Sequence, residues 1–154
     1  MSPEDERARA KALALRMLAR REYCASEMKH KLLAKGFSEA VAEEVVAGLV
    51  RSGLLSDRRF AEAYLRGRLR RGDALWLAAA KARQKGVDEQ ALAEAVASLE
   101  EEFDPEQAAR ALVEKIDPEG LRFADAKLRR RMAARLARRG FARAVIEKVL
   151  KEDA

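Results

Sequence analysis

Two stretches of this chain of 154 residues gather side chains suited to one chemistry, the capture of a polyanion. From Arg58 to Arg71 six arginines stand against a single acid, Glu62, and from Arg122 to Arg143 nine basic residues stand against Asp125 alone. Between them, from Glu100 to Glu119, eight acids meet only Arg110 and Lys115. Arginine and lysine offer only donors and a persistent positive charge, so phosphate or carboxylate is what they recognise. The whole-chain charge of +6 and a pI near 9.7 therefore understate the local field. At about 100° per residue, Arg59, Arg66 and Arg70 fall within roughly 40° of one another on a helix, opposite much of its apolar stripe. Lys127, Arg131 and Arg138 cluster likewise, with Arg135 at their edge beside Leu128, Met132 and Leu136. Each face reads either as a contact for phosphates or an acidic surface, or as a solvated helix surface. Arg68 projects within the apolar arc of its own helix and is expected to snorkel past it to water, binding nothing.

Other chemistries find little support. His30 is the single imidazole and lies between Lys29 and Lys31, a poor setting for a catalytic base. No Cys/His cluster has zinc-ligand spacing, and there is no glycine-rich phosphate loop or serine nucleophile motif. Carboxylates such as Glu43 with Glu44, or Glu101 with Glu102, are adjacent and so diverge on a helix. We therefore expect no catalytic residue, no metal and no cofactor. Trp76 can stack on a nucleobase, but Leu75, Leu77 and a run of alanines around it favour a place in the core. Tyr23 and Tyr64 read as packing residues with a polar tip at the surface. Cys24, the single cysteine, excludes an internal disulfide, suits a reducing compartment, and reads as a small residue at a helix start. No apolar run follows the Met-Ser-Pro-Glu-Asp-Glu start, and nothing approaches the roughly 20 apolar residues of a membrane span. A cytoplasmic protein without membrane contact is expected.

The elements that must carry the basic faces are helices. Apolar residues make up 49% of the chain and charged residues 38%, with only 3 Pro and 8 Gly to interrupt them, and no segment alternates at period two. Three segments repeat one phrase: KLLAKGFSEAVAEEVV from Lys31, KARQKGVDEQALAEAV from Lys81, and RLARRGFARAVIEKVL from Arg135. Gly36, Gly86 and Gly140 coincide, at spacings of 50 and 54 residues. In each, a basic helix ends at glycine and an apolar residue follows, Phe37, Val87 or Phe141. It is placed to staple against Ala42, Leu92 or Ile146 in the next helix. Ser38 and Asp88 are good N-caps there and Ala142 is not, so the third junction is the least well capped.

Further boundaries complete the units. Gly53 ends the helix begun at Ser38, Ser56 or Asp57 caps the next, and Gly72 ends that one. Asp104, Pro105 and Gln107 form a start signal in which glutamine can complete a capping box, and Asp117-Pro118-Glu119-Gly120 reads as a turn. Near the N-terminus the pattern predicts a helix over Ala12 to Arg21, a break around Tyr23, and a second helix into Lys35. The fold class that follows is all-α: three tandem three-helix repeats forming an elongated, possibly curved body. The repeats are assigned to residues 1–53, with a short N-terminal tail, then 54–101 and 102–154.

The blocks LARREYCASEMKHKLLAKGF from Leu18 to Phe37, GLLSDRRFAEAYLRGRLRRG from Gly53 to Gly72, and RLARRGF from Arg135 to Phe141 resemble the RecX family. The likeness runs from about Leu13 to Leu150, in order and with similar spacing. It implies tandem three-helix repeats without catalytic activity that bind RecA filaments on single-stranded DNA and usually inhibit recombinase and co-protease activity. Roles in recombination, DNA repair and the SOS response come with it, as do RecA and single-stranded DNA, met directly or through RecA, as partners of a monomer. Arg59, Arg66, Arg70, Lys127, Arg131, Arg135 and Arg138 are the candidates for partner or DNA binding. Two departures stand out: Cys24 replaces the serine that commonly opens the family's capping box, and Asp73 to Leu77 replace a more basic pattern. Two rival readings remain, a basic helical DNA-binding protein acting without RecA, and a scaffold for some other acidic partner.

Overall fold

The repeated phrase forms a helix–turn–helix junction at each of its three occurrences in the computed structural model, which describes residues 2–151. Nine α-helices account for most of the described residues: α1 (Pro3–Leu18), α2 (Ala25–Ala34), α3 (Glu39–Arg51), α4 (Asp57–Arg70), α5 (Leu75–Gln84), α6 (Glu89–Glu100), α7 (Pro105–Ile116), α8 (Ala126–Arg138) and α9 (Arg143–Lys151). A single 3-10 turn, Leu121–Phe123, precedes α8, and the described residues contain no strand. The chain is thus all-α, in three successive groups of three.

The junction chemistry follows the sequence. Gly36, Gly86 and Gly140 have φ of 95°, 84° and 92°, the left-handed region that lets the chain turn out of a helix. At the first junction the Phe37 amide donates to the Leu32 carbonyl at 3.2 Å, and at the third Phe141 donates to Leu136 at 3.2 Å. These bonds satisfy carbonyls that the helix end leaves open. Ser38 then accepts from the Val41 amide at 3.3 Å, and Asp88 from the Ala91 amide at 3.0 Å. Ala142 has no side-chain acceptor, so α9 relies on the staple beneath it, where Phe141 and Ile146 are both buried. Gly140 is constrained twice over. A Cβ there would stand 2.9 Å from Leu77 Cβ and 3.2 Å from Trp76 Nε1.

Two details differ from expectation, and a third decides between two expected caps. The first helix begins at Pro3 instead of Ala12 and ends at Leu18 instead of Arg21, so most of the expected N-terminal tail is helical. Ser2 caps it by accepting from the Asp5 amide at 3.1 Å, Pro3 sits in the first turn, and Glu4, Asp5 and Glu6 complement the N-terminal dipole. Asp104 caps α7 through its own carboxylate, accepting from Glu106 and Gln107 amides at 3.0 and 3.3 Å, and the Gln107 side chain makes no return bond. Ser56 and not Asp57 caps α4, accepting from the Arg59 amide at 3.2 Å, which frees the Asp57 carboxylate for other work.

The chain divides into two compact units, one of Met1–Tyr64 with Lys81–Ala95 and the other of Leu65–Ala80 with Val96–Ala154; the division runs through α4, α5 and α6. In the first, Ala10 and Ala14 of α1, Met28 and Leu32 of α2, and Val41, Ala42, Val45 and Leu49 of α3 form a buried cluster, joined by Leu55. In the second, Ala109 and Val113 of α7, Met132 and Leu136 of α8, and Phe141, Ile146, Val149 and Leu150 close a similar one with Ala74. Each helix contributes a stripe too narrow to be stable alone, and burial of roughly 1.5–3 kcal/mol per large side chain holds each cluster together.

Candidate functional site

The two basic helices differ in what their arginines do. On α4, Arg59 places Nε 3.1 Å from Glu22 Oε2 and donates from Nη2 to the Gly53 carbonyl at 2.7 Å. Arg66 is held by Glu102 at 3.0 Å. Arg58 bridges Glu62 and Glu94, each at 2.8 Å. Arg70, with its neighbour Arg71, is exposed and has no ion pair among the described residues. The expected α4 trio therefore shares a face, but two of its three members are occupied by acids from elsewhere in the chain.

On α8 the arrangement is open. Lys127, Arg131, Arg135 and Arg138 are all exposed, and none has an acidic partner among the described residues. Arg130, not among the candidates picked from the sequence, joins them: exposed, without a partner, and about 60° from Lys127 around the helix. The five cations cover an arc of roughly 140°, while Met132 and Leu136 anchor the opposite side in the core. The first turn of α8 is fixed by Asp125, which accepts from the Lys127 and Leu128 amides at 3.0 and 3.1 Å. Asp125 is thus spent on a cap and does not neutralise the stripe.

A polar cluster at the α4 end fixes the α8 end. Asp73 is buried, 1% exposed, and its carboxylate takes Arg68 Nε at 2.8 Å and Arg139 Nη1 at 3.2 Å. Arg68 is therefore not a snorkelling side chain, as its position in the apolar arc suggested, but one of two partly exposed arginines that bracket a buried carboxylate. The Ala74 amide donates to the Arg139 carbonyl at 2.7 Å, and Trp76 Nε1 donates to the Gly140 carbonyl. Trp76 itself is 64% exposed, not a core residue as the surrounding Leu and Ala suggested. The apolar side of α5 is filled by Leu75, Ala78, Ala79 and Ala82, all buried, which leaves position 76 turned outward.

A second acid carries an unexpected structural load. Asp57 accepts from the Ala25 amide through Oδ1 and from the Asp88 amide through Oδ2, both at 2.8 Å. It thereby supplies the cap that Cys24 does not, since Cys24 has no side-chain cap bond to α2. The buried Cys24 thiol donates instead to the Lys85 carbonyl at 3.4 Å, and burial pushes its pKa up, which disfavours the reactive thiolate. In the turn before α8, the Asp117 carboxylate accepts from the Leu121 and Arg122 amides and from Arg122 Nη1, at 2.9, 3.1 and 2.9 Å. Burial pushes the Asp117 carboxyl up, but Arg122 and the two amides outweigh it and hold the group below its ordinary value.

No group of three or more His, Cys, Asp or Glu among the described residues is placed to hold a metal ion, and no described helix is long and apolar enough to cross a membrane. His30 is exposed, with Nδ1 donating to the Ser26 carbonyl at 2.9 Å. Fold and surface together define a basic protein of tandem three-helix repeats with a stripe of five exposed, unpaired cations on α8.

Comparison with known proteins agrees with that class. The family models for the first, second and third three-helix domains of RecX match residues 10–49, 56–96 and 104–150. Regulatory protein RecX of Mycobacterium sp. (strain JLS) is 34% identical over 140 residues, covering 88% of this chain and 76% of its own. That of Amycolatopsis mediterranei (strain U-32) is 32% identical over 154 residues, covering 99% and 87%. The crystal structure of RecX from Lactobacillus salivarius superimposes with a TM-score of 0.75 at 18% identity, covering 96% of each chain. The chain belongs to the RecX family.

Proposed function

We propose that this protein is a non-catalytic regulator that docks on the RecA filament formed on single-stranded DNA and lowers its recombinase and co-protease activity. The observation that supports this reading most is the α8 stripe. Lys127, Arg130, Arg131, Arg135 and Arg138 stand exposed on one helix with no acidic partner among the described residues. Charges left unpaired on a rigid helix are available to a polyanion, and their attraction reaches about 10 Å at 0.1 M salt. A filament offers the same polyanion many times over, so even a modest contact gains from repetition. Arg70 is a secondary contact; Arg59 and Arg66 must first give up Glu22 and Glu102.

The test adds the full chain to RecA assembled on single-stranded DNA and follows ATP hydrolysis and strand exchange. Inhibition is expected, and a variant with Lys127, Arg131 and Arg138 changed to Glu should need about tenfold more protein for the same effect. No change in either rate at saturating protein would reject the reading. The rival, a DNA-binding protein acting without RecA, predicts instead tight binding to bare DNA that falls steeply with salt, with RecA activity untouched.

A further inference from the structure

We propose that Trp76 is a stacking platform for an unpaired nucleobase, set beside the end of α8 so that a single strand of nucleic acid meets the cation stripe and the indole together. The proposal rests on the docking role of α8 and assigns the strand, not the RecA protein, as what that stripe touches.

Trp76 is the most exposed of the large apolar side chains among the described residues, at 64%, although burial of an indole is strongly favourable. The ring is exposed yet not loose. Its Nε1 donates to the Gly140 carbonyl, and the same edge lies against the Gly140 backbone, which has no side chain to push it away. Arg139, one residue earlier, accepts the Ala74 amide at 2.7 Å through its carbonyl, so the segment carrying Trp76 and the end of α8 are fastened together twice. A ring held in this way loses little freedom when something stacks on it.

The surroundings specify the occupant. Arg138, exposed and without an acidic partner among the described residues, immediately precedes this junction, while Arg143 beyond it is paired with Glu147 at 3.0 Å. The stripe from Lys127 to Arg138 runs about 16 Å along the helix at 1.5 Å per residue and ends at the indole. Acidic protein surface satisfies the cations but leaves the ring without a partner of its own. A duplex satisfies the cations but hides its base faces in the stack. A single strand supplies phosphates to the one and a free base face to the other, and base–aromatic stacking tolerates any base.

Trp76 is the sole tryptophan of the chain, so its emission reports the contact directly. The experiment titrates the full-length protein with oligothymidylate, with an abasic strand of the same length, and with duplex DNA, without RecA. Oligothymidylate should quench the emission and bind more tightly than the abasic strand. Trp76→Ala should weaken oligothymidylate binding roughly 5- to 150-fold while leaving the abasic strand's affinity unchanged. Trp76→Phe, which keeps a ring, should retain most of the affinity, and circular dichroism checks that both variants stay helical. Equal affinity of wild type and Trp76→Ala for oligothymidylate, or equal loss for both strands, overturns the proposal. So does failure of the wild type to bind either strand. Because RecA inhibition is measured separately, each of these failures leaves the docking role of α8 standing or falling by its own assay.

Discussion

Helices α4 and α8 carry similar runs of arginine and opposite electrostatic outcomes. On α4 the guanidinium groups of Arg58, Arg59 and Arg66 are taken up by Glu62, Glu94, Glu22 and Glu102. On α8 Lys127, Arg130, Arg131, Arg135 and Arg138 meet no acid among the described residues. The difference lies in the partners, not in the helices. Glu22, Glu62, Glu94 and Glu102 lie within reach of α4, whereas the acid nearest in sequence to the α8 stripe, Asp125, caps the helix. Density of positive charge along a chain is thus a poor measure of charge available to a ligand, since exposed pairs give little stability yet still mask their members.

The largest effect that probes this contrast is expected where the two helices end. Asp73→Ala leaves Arg68 and Arg139 without the buried carboxylate they share and should cost about 3 kcal/mol, read as a lowered urea midpoint. Next comes reversal of Lys127, Arg131 and Arg138 to Glu, with its roughly tenfold loss of RecA inhibition. The matching reversal of Arg59, Arg66 and Arg70 should change inhibition no more than about threefold, and an equal loss from both triple variants would erase the distinction drawn between the faces. A gain sharpens it. Glu22→Gln should release Arg59 from its ion pair, and binding to single-stranded DNA should rise about twofold, with a salt dependence steeper by about one contact.

The smallest effect is one of pH. The Asp117 carboxyl lies below its unfolded value, so the stability it contributes is fully present above that value, near pH 4, and is lost as pH falls through the folded pKa. Glu106, held low by Arg110 and then Lys148, changes in the same direction. Asp117→Asn should therefore flatten the fall in stability below about pH 4 without abolishing it. Urea midpoints between pH 7 and pH 3 measure the slope, and an unchanged slope would separate Asp117 from acid unfolding.

What the sequence made legible is local. The glycine junctions, the Ser38 and Asp88 caps, the turn at Asp117 and the apolar side of α8 each depend on residues within one helical turn of one another. The common face of Lys127, Arg131 and Arg138 follows from the same periodicity. Contacts between distant segments were not legible. Glu22 and Glu102 are indistinguishable in the sequence from any solvated glutamate, so nothing marked Arg59 and Arg66 as occupied. Arg68 looked apolar in company because its partner Asp73 lies past the helix end, beyond helical periodicity. Trp76 was placed in the core by its neighbours, because composition counts apolar residues without saying which way each one turns. Asp57 escaped notice because a carboxylate beside a helix start is normally read as the cap of that helix and not as the acceptor of two distant amides. The start of α1 was legible in Ser2-Pro3 but was outweighed by the run of charge that follows.

The two amides held by Asp57 decide where this chain can be cut. A fragment that stops at Gly53 contains every helix of the first repeat yet strips the Ala25 amide of its acceptor, and one that starts after Asp57 does the same to Asp88. The repeats that the sequence marks off so evenly are therefore not interchangeable bricks: a chimera that grafts one from a relative must carry an acid at this position, or import a frayed start of α2 and an unpaired amide just before α6.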